Sequence, residues 1–242
     1  MRIKDKVNLD YAGHNKYGPI NIVALGDSVT HGCVAIGETN YETVYWNRLK
    51  KKILDYKDNI PVNVINAGIG GTTAKESIAR LDTQVLNHNP DLIIICFGLN
   101  DVNGTLEEYL SSLETIFKRT TENCDEVIFM TPNMLNTYVS KDTVKEYYDY
   151  AGVTAGFQNE GKMDLFMESA CKLAKDMNVK VCDCYSIWKE ISKTQDVNML
   201  LANRINHPTK GMHELFANEL FKIIFDGESI ATSSVDNSMY KG

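Results

Sequence analysis

The sequence IVALGDSVTHG at residues 22–32 decides the fold predicted for this chain. Its first four residues are apolar and lead directly into glycine, which is the pattern of a buried parallel strand. In open α/β sheets, the residues that bind ligands or react collect just beyond the carboxyl ends of such strands. Ser28 falls at that place. The segment alone leaves two roles open, because serine is also a favoured N-cap residue of a following helix.

Four further apolar runs have the pattern of buried strands, at Val62–Ile65, Leu92–Phe97, Val127–Met130 and Val179–Cys182. Segments with helical spacing of apolar residues separate these runs. The expected helices are Tyr41–Tyr56, Thr72 or Thr73 to about Leu86, Leu106–Thr120, Met163–Met177, Tyr185–Ile191 and Met212–Phe225. Alternation of strand and helix is typical of a parallel sheet with helices on both faces. We therefore predict a three-layer α/β/α domain with a mostly parallel sheet of about five strands.

Domain boundaries follow from composition along the chain. Residues 1–20 are polar and aperiodic and are expected to form an extended arm, and residues 21–226 form one domain. Residues 132–162 interrupt the alternation with a polar, tyrosine-rich segment, and segments this long between core elements are usually lids or helical insertions. The Ser-rich residues 227–242 are expected to be a C-terminal tail that frays.

The composition excludes several classes of function. The 242 residues carry a formal net charge of -7, which opposes binding to nucleic acid or to an anionic membrane. No segment is apolar over the ~20 residues that a membrane span needs, and the N-terminus lacks the apolar core of a signal peptide. We therefore expect a cytoplasmic protein, although a removed signal peptide or upstream domain would leave the same sequence. The six scattered cysteines are expected to be reduced core thiols rather than disulfides or metal ligands.

Four short motifs follow predicted strands or lie near the C-terminus: Gly26-Asp27-Ser28, Gly68–Gly71, Gly98–Asp101 and His207-Pro208. Read together and in this order, they resemble the motifs of the SGNH or GDSL family of serine esterases and lipases. The resemblance spans most of the chain, and four motifs in order are a far stronger signal than any one of them. It implies the flavodoxin-like fold of that family, a small-molecule ester as substrate, and no cofactor or metal.

The resemblance implies a role for each motif. Serine is a poor nucleophile until a base takes its proton, so Ser28 would be the nucleophile and His207 its base. Attack on an ester creates an oxyanion that preorganised donors must stabilise. These donors would be the backbone N–H groups of Ser28 and Gly71 and the side-chain amide of Asn100.

Structural roles remain open for several of these residues. Gly70-Gly71 could form a plain tight turn, and Asn100 could be a helix cap or an Asx-turn residue. Asp27 and Asp101 are expected to make structural hydrogen bonds. Of the other histidines, His31 is expected to have a structural role beside its loop. The remaining histidines fit the role of base less well than His207: His14, His88 and His213.

The chain departs from the family pattern beside the base. The family has an aspartate three residues before the histidine, where this chain has Arg204, with Asn203 one residue earlier. Asparagine can accept a hydrogen bond from an imidazole N–H, so Asn203 Oδ1 is predicted ~2.7–3.2 Å from His207 Nδ1. A backbone carbonyl at that nitrogen would instead leave a Ser-His dyad. Ser28 Oγ is expected ~3 Å from a ring nitrogen of His207, or slightly farther in the unbound enzyme.

Two rival enzyme motifs fail on spacing. The third glycine of a dinucleotide-binding fingerprint would fall at Thr73, and the second glycine of the Gly-x-Ser-x-Gly motif would fall at Thr30. A third alternative is a catalytically weak or inactive carbohydrate- or ligand-binding protein on the same fold, because the acid is missing. The function that the resemblance implies is a serine esterase acting through an acyl-enzyme. Its substrate would be a small acyl ester, for example an acetyl ester, of a carbohydrate or other polar alcohol.

Overall fold

A parallel sheet forms the centre of the molecule in a computed structural model that describes residues 1–225. Its strands are β1 (Ile20–Gly26), β2 (Val62–Gly68), β3 (Leu92–Cys96), β4 (Val127–Met130) and β5 (Lys180–Cys182). Within the described residues the sheet has five strands in the order β2-β1-β3-β4-β5, and every neighbouring pair is parallel. The predicted α/β fold is therefore confirmed. Each predicted apolar run became a strand, and all residues of β3 are buried because helices cover both faces.

Helices connect the strands and cover the sheet. Their bounds are α1 (Ile3–Val7), α2 (Tyr11–Tyr17), α3 (Ser28–His31), α4 (Tyr45–Tyr56), α5 (Ala74–Ser77), α6 (Leu81–Gln84), α7 (Leu106–Thr121), α8 (Tyr148–Asn159), α9 (Lys162–Asp176), α10 (Cys184–Ser192), α11 (Val197–Leu200) and α12 (His213–Phe225). Short 3-10 turns lie at Ile78–Arg80, Leu86–His88, Asp101–Asn103 and Lys145–Tyr147. The predicted tail, 227–242, lies outside the described residues.

The N-terminal arm is helical, so the expectation of an extended arm is wrong. Ile3 of α1 is fully buried, and its backbone N–H donates to the Glu126 carboxylate at 3.0 Å. Lys6 forms a buried ion pair with Asp91 at 2.7 Å. Helix α1 has only five residues, too few for apolar periodicity to be visible in the sequence. Its stability comes from these tertiary contacts, as is usual for short helices.

The segment 132–162 contains helix α8. Its first part is buried and hydrogen-bonded to the loop that carries His207. The Asn136 backbone N–H donates to the Ile205 carbonyl at 2.8 Å, and the Thr154 hydroxyl donates to Asn136 Oδ1 at 2.6 Å. The segment thus contacts the loop of the predicted base, and its interpretation as an insertion or a lid stays a prediction.

Two predicted helices have different bounds in the structure. The helix expected from Tyr41 begins at Tyr45, because the Asn40 side chain accepts from the Thr43 backbone N–H and holds a turn before it. The helix expected to follow Thr73 does begin there, with a capping box between Thr73 and Glu76. It then breaks into the short pieces α5 and α6, separated by a 3-10 turn.

No helix among residues 1–225 is long and apolar enough to cross a membrane. All six cysteines are free thiols, and every one except Cys33 is buried.

Candidate active site

Three of the predicted site segments meet at one edge of the sheet. Ser28 follows β1, the Gly70-Gly71 turn follows β2, and Asn100 follows β3. These strands are parallel neighbours, with β1 between the other two. Their carboxyl ends therefore lie side by side, which is where open α/β sheets place their ligands.

Ser28 is the first residue of helix α3 and is only 5% exposed. Asp27, rather than Ser28, caps this helix, since its Oδ1 accepts from the Val29 backbone N–H at 2.9 Å. The role of Ser28 as a helix cap is thereby ruled out. The first N–H groups of a helix have no intrahelical partner, so the Ser28 N–H is available to an anion.

The ends of β2 and β3 are joined by two side-chain contacts. Asn100 Nδ2 donates to the Thr72 carbonyl at 3.0 Å, and Asp101 Oδ1 accepts from the Ala74 N–H at 2.8 Å. Each amide NH₂ has two hydrogens, so Asn100 keeps one further donor. Gly71, which directly precedes Thr72, has φ +81°, a backbone conformation that glycine adopts without strain. The structure thus brings Asn100 and the glycine turn together.

The end of β2 also touches helix α3 directly. A methyl group at Gly68 would lie 2.3 Å from the His31 backbone nitrogen, so only glycine allows this approach. The His31 carbonyl accepts from Asn66 Nδ2 at 3.1 Å, and its ring Nδ1 accepts from the Gly70 N–H at 3.3 Å.

His207 is held by a backbone carbonyl. Its Nδ1 lies 3.1 Å from the carbonyl oxygen of Val34, in the loop that follows helix α3. A carbonyl can only accept, so Nδ1 carries the hydrogen and Nε2 carries the lone pair that a general base needs. The loop that carries His207 is fixed as well, because Asn133 Nδ2 donates to the Asn206 carbonyl at 2.8 Å.

The prediction that Asn203 orients the His207 ring is wrong. Asn203 Oδ1 accepts three backbone N–H groups, those of Ile205, Asn206 and His207, at 2.9 to 3.0 Å. An oxygen surrounded by these donors closes the turn before His207, as asparagine side chains often do. Asn203 therefore contacts the backbone of His207, and Val34 contacts its ring.

Arg204 stands where the family has its aspartate, and it has a structural function here. Its φ is +62°, and its Nη1 donates to the carbonyls of Asn198, Met199 and Leu201 at 3.0 to 3.2 Å. These carbonyls belong to the end of helix α11, where cations are favourable. The Arg204 guanidinium thus binds the carbonyls at the end of helix α11, and the His207 ring is hydrogen-bonded to the Val34 carbonyl.

Ser28 Oγ and His207 share no hydrogen bond within residues 1–225, and the expected contact at ~3 Å, or slightly farther in the unbound enzyme, stays a prediction. Such catalytic contacts are often long in unbound enzymes and tighten when substrate binds. The arrangement of the two residues as nucleophile and base stays a proposal.

Two buried carboxyl groups lie behind Ser28 and Asn100. Burial raises the pKa of Asp27 to about 7, and the nearby Asp101 adds to the effect. Burial likewise raises the pKa of Asp101 to about 6. Each has one oxygen, Oδ2, without a hydrogen-bond partner among the described residues. Their other oxygens make the structural hydrogen bonds expected of them.

Burial also shifts the pKa of two histidines. It lowers the pKa of His207, and the Val34 carbonyl partly offsets the effect. It lowers the pKa of His213 to about 3, and His213 Nδ1 accepts from the Tyr45 backbone N–H, which is a structural role. Of the remaining histidines, His88 lies before β3, at the opposite end of the sheet from Ser28.

Sequence reasoning missed Val34 and Asn133. Val34 acts through its carbonyl, which every residue has, so no side-chain pattern could reveal it. Asn133 lies three residues after the end of β4 and is fully buried. A polar residue at the carboxyl end of a parallel strand was a usable signal for it.

Within residues 1–225 there is no group of three or more His, Cys, Asp or Glu side chains that could hold a metal ion.

The chain is similar to known acylhydrolases. A model of the GDSL-like lipase/acylhydrolase family matches residues 24–215. An acetylxylan esterase of Geobacillus stearothermophilus is 23% identical over 175 residues, which are 67% of this chain and 72% of the esterase. An uncharacterized lipoprotein of Bacillus subtilis (strain 168), YqeF, is 33% identical over 92 residues, which are 37% of this chain and only 35% of the lipoprotein.

Solved structures share the fold. Axe2, an acetylxylan esterase from Geobacillus stearothermophilus, has 22% sequence identity and a TM-score of 0.66, covering 85% of this chain and 94% of the esterase chain. LAE5, described as an α/β hydrolase enzyme from the metagenome of Lake Arreo, has 19% identity, the same TM-score of 0.66, and the same coverage.

Proposed function

Because the chain belongs to the GDSL-like lipase/acylhydrolase family and is thus a carboxylic ester hydrolase, we propose that it acts through a Ser28-His207 dyad. The observation that carries this proposal is the hydrogen bond from His207 Nδ1 to the Val34 carbonyl. It selects the tautomer with a free lone pair on Nε2 and needs no carboxylate. The missing acid is therefore compatible with activity.

The reaction follows from these groups. His207 Nε2 takes the hydroxyl proton as Ser28 Oγ attacks the acyl carbon, and the carbonyl π electrons move to the oxygen. When the oxyanion collapses, the C–O bond to the alcohol breaks, and the alcohol oxygen takes the proton from His207. Water then attacks the acyl-Ser28 ester, with His207 again taking and returning one proton. The products are the free acid and the regenerated enzyme.

The oxyanion is stabilised by three donors in this proposal: the N–H groups of Ser28 and Gly71 and the second amide hydrogen of Asn100. The contact from Asn100 to the Thr72 carbonyl supports it, because it fixes the amide beside the glycine turn. Donors that are already in place stabilise the transition state without reorganisation.

The proposed substrate is a small acyl ester, such as an acetyl ester, of a carbohydrate or other polar alcohol. The acetylxylan esterase of Geobacillus stearothermophilus supports this class, since it is similar over most of its length. The cytoplasmic location and the absence of a nucleic-acid partner stay predictions from composition, and the Bacillus subtilis relative is a lipoprotein.

The test is covalent labelling with a fluorophosphonate and mapping of the modified peptide. We expect the label on Ser28, and none on the Ser28→Ala variant at an unchanged Tm. Hydrolysis rates on 4-nitrophenyl acetate, butyrate and octanoate should fall with chain length. An unlabelled wild-type protein would favour the alternative, an inactive carbohydrate- or ligand-binding protein, for which the absent carboxylate at His207 is the supporting observation.

A further inference from the structure

His31 lies between the proposed nucleophile and the proposed oxyanion turn. It is the last residue of α3, three residues after Ser28, and its backbone is pressed against Gly68 at the end of β2. A methyl group at Gly70 would lie 3.6 Å from His31 Nδ1 and 3.8 Å from Ser28 Cβ. The imidazole, the serine and the glycine turn therefore share one small volume.

The hydrogen bonds of this ring select one tautomer. The Gly70 backbone N–H can only donate, so His31 Nδ1 at 3.3 Å accepts with its lone pair. The hydrogen of the neutral ring is then on Nε2, which lies 3.4 Å from the Tyr41 hydroxyl. The Tyr41 ring also stacks on the imidazole, with centroids 6.2 Å apart and planes 25° apart. Both nitrogens and one face of the ring are thus occupied.

We propose that His31 is a positioning residue that sets the orientation of the oxyanion turn relative to Ser28. Gly70 and Gly71 are consecutive glycines. The direction of the Gly71 N–H therefore depends on backbone torsions that no side chain restricts. The contact from Gly70 N–H to His31 Nδ1 restrains the first peptide of this pair from the same helix that carries the nucleophile. This inference rests on the proposed function, since it concerns the donors of that site.

Three substitutions of His31 distinguish two roles of its ring: accepting a hydrogen bond at Nδ1, and filling space beside Tyr41. In His31→Asn, the amide oxygen is bonded to Cγ, as Nδ1 is, and can still accept from Gly70. In His31→Gln, the terminal group is one bond farther out, near the place of Nε2, and meets Tyr41 instead. His31→Phe keeps an aromatic ring against Tyr41 and has no acceptor.

We expect kcat on 4-nitrophenyl acetate to fall about 10- to 100-fold in His31→Gln and His31→Phe, with KM changed less than about 3-fold, because a displaced oxyanion donor acts on the transition state. His31→Asn should recover most of kcat. Affinity for methylboronic acid, whose tetrahedral adduct on serine occupies the oxyanion site, should fall in parallel with kcat. Tm is measured for each variant.

The control is His88→Phe, at the opposite end of the sheet, which should keep the wild-type kcat. Equal kcat in all three His31 variants, whether high or low, would overturn the inference, because an acceptor at Nδ1 would then make no difference. Failure of the proposed function is a separate result, namely wild-type protein that neither hydrolyses the ester nor is labelled at Ser28.

Discussion

The His207 ring donates from Nδ1 to the carbonyl oxygen of Val34, 3.1 Å away and 173 residues earlier in the chain. A peptide carbonyl fixes the ring and its tautomer, as the aspartate of a triad does, but carries no formal charge. In the proposed dyad, the imidazolium is therefore less stabilised than it would be beside a carboxylate. We expect the proposed dyad to hydrolyse esters with good leaving groups rather than amides.

Replacing Asn203 tests the turn before His207. Asn203→Ala removes an oxygen that accepts three backbone N–H groups. At ~1 kcal/mol for each hydrogen bond, unfolding free energy should fall by about 2 to 3 kcal/mol, and kcat should fall as the base is displaced. Asn203→Asp keeps the acceptor oxygen and should retain both. Denaturant unfolding and steady-state kinetics measure this, and a kcat increase above about 10-fold in Asn203→Asp would mean that the carboxylate reaches the ring.

Restoring the family aspartate should not create a triad. Arg204→Asp loses the three carbonyl contacts at the end of helix α11, so thermal unfolding should shift to a lower temperature. We expect no increase in kcat, because the His207 Nδ1 hydrogen is already bonded to Val34. Arg204→Lys, which keeps the positive charge near these carbonyls, is the milder matched variant. A rise of kcat in Arg204→Asp alone would contradict the dyad.

Asn100→Ala should lower kcat on the order of 10²-fold, the usual scale for one oxyanion donor, with a smaller effect on KM. The Thr72 carbonyl also loses its donor, so the glycine turn should become less ordered. The control is Asn123→Ala, an exposed asparagine after helix α7. Rates of Asn100→Ala within about 3-fold of wild type would remove this residue from the oxyanion site.

In the pH profile of kcat/KM, the midpoint of the acid limb should lie below pH 6.5. Burial lowers the pKa of His207 from that ordinary value. The base must be neutral to accept the serine proton, so activity is lost as pH falls through this lowered pKa. Rates from pH 4 to 9 at low substrate concentration measure it. An acid limb at or above pH 6.5 would mean that a charged partner supports the ring.

The free energy of unfolding of Asp27→Asn should increase relative to that of the wild type as pH rises. Burial raises the folded-state pKa of Asp27 to about 7, above the value of 3.8 for an ordinary aspartate. The folded protein therefore binds this proton where the unfolded chain does not, and the contribution of Asp27 to stability is present below pH 3.8 and is lost between there and pH 7.

The full difference in unfolding free energy is of the order of 4 kcal/mol, from ~1.4 kcal/mol per pKa unit. Chemical denaturation of both proteins at pH 5 and pH 8 measures the part that falls between these two pH values, about 2 to 3 kcal/mol. A difference between them that is independent of pH would show that Asp27 does not titrate in this range.

The sequence was sufficient for the sheet because short apolar runs alternate with segments of helical spacing, and the run at residues 92–97 is apolar throughout, as a strand covered on both faces must be. Side-chain motifs likewise placed Ser28, the glycine turn and Asn100 at one edge. Asn203 was assigned wrongly because residue type shows what a side chain can accept, and not which donors surround it. The short helix α1 was missed because its stability comes from Glu126, Asp91 and other distant residues.

The absence of room at Gly68 has a consequence for how this site can change. At Gly68, the end of β2 approaches backbone atoms of helix α3, and the His31 nitrogen lies where a methyl group would be. The distance between helix α3 and the end of β2 is therefore set by backbone contact at Gly68. Substitutions of other side chains do not change it as long as Gly68 is kept. Ile36 and Ile69, in the loops that follow α3 and β2, are exposed and free of this constraint. Substitutions in these loops can therefore vary while the spacing between the proposed nucleophile and the proposed anion site is kept.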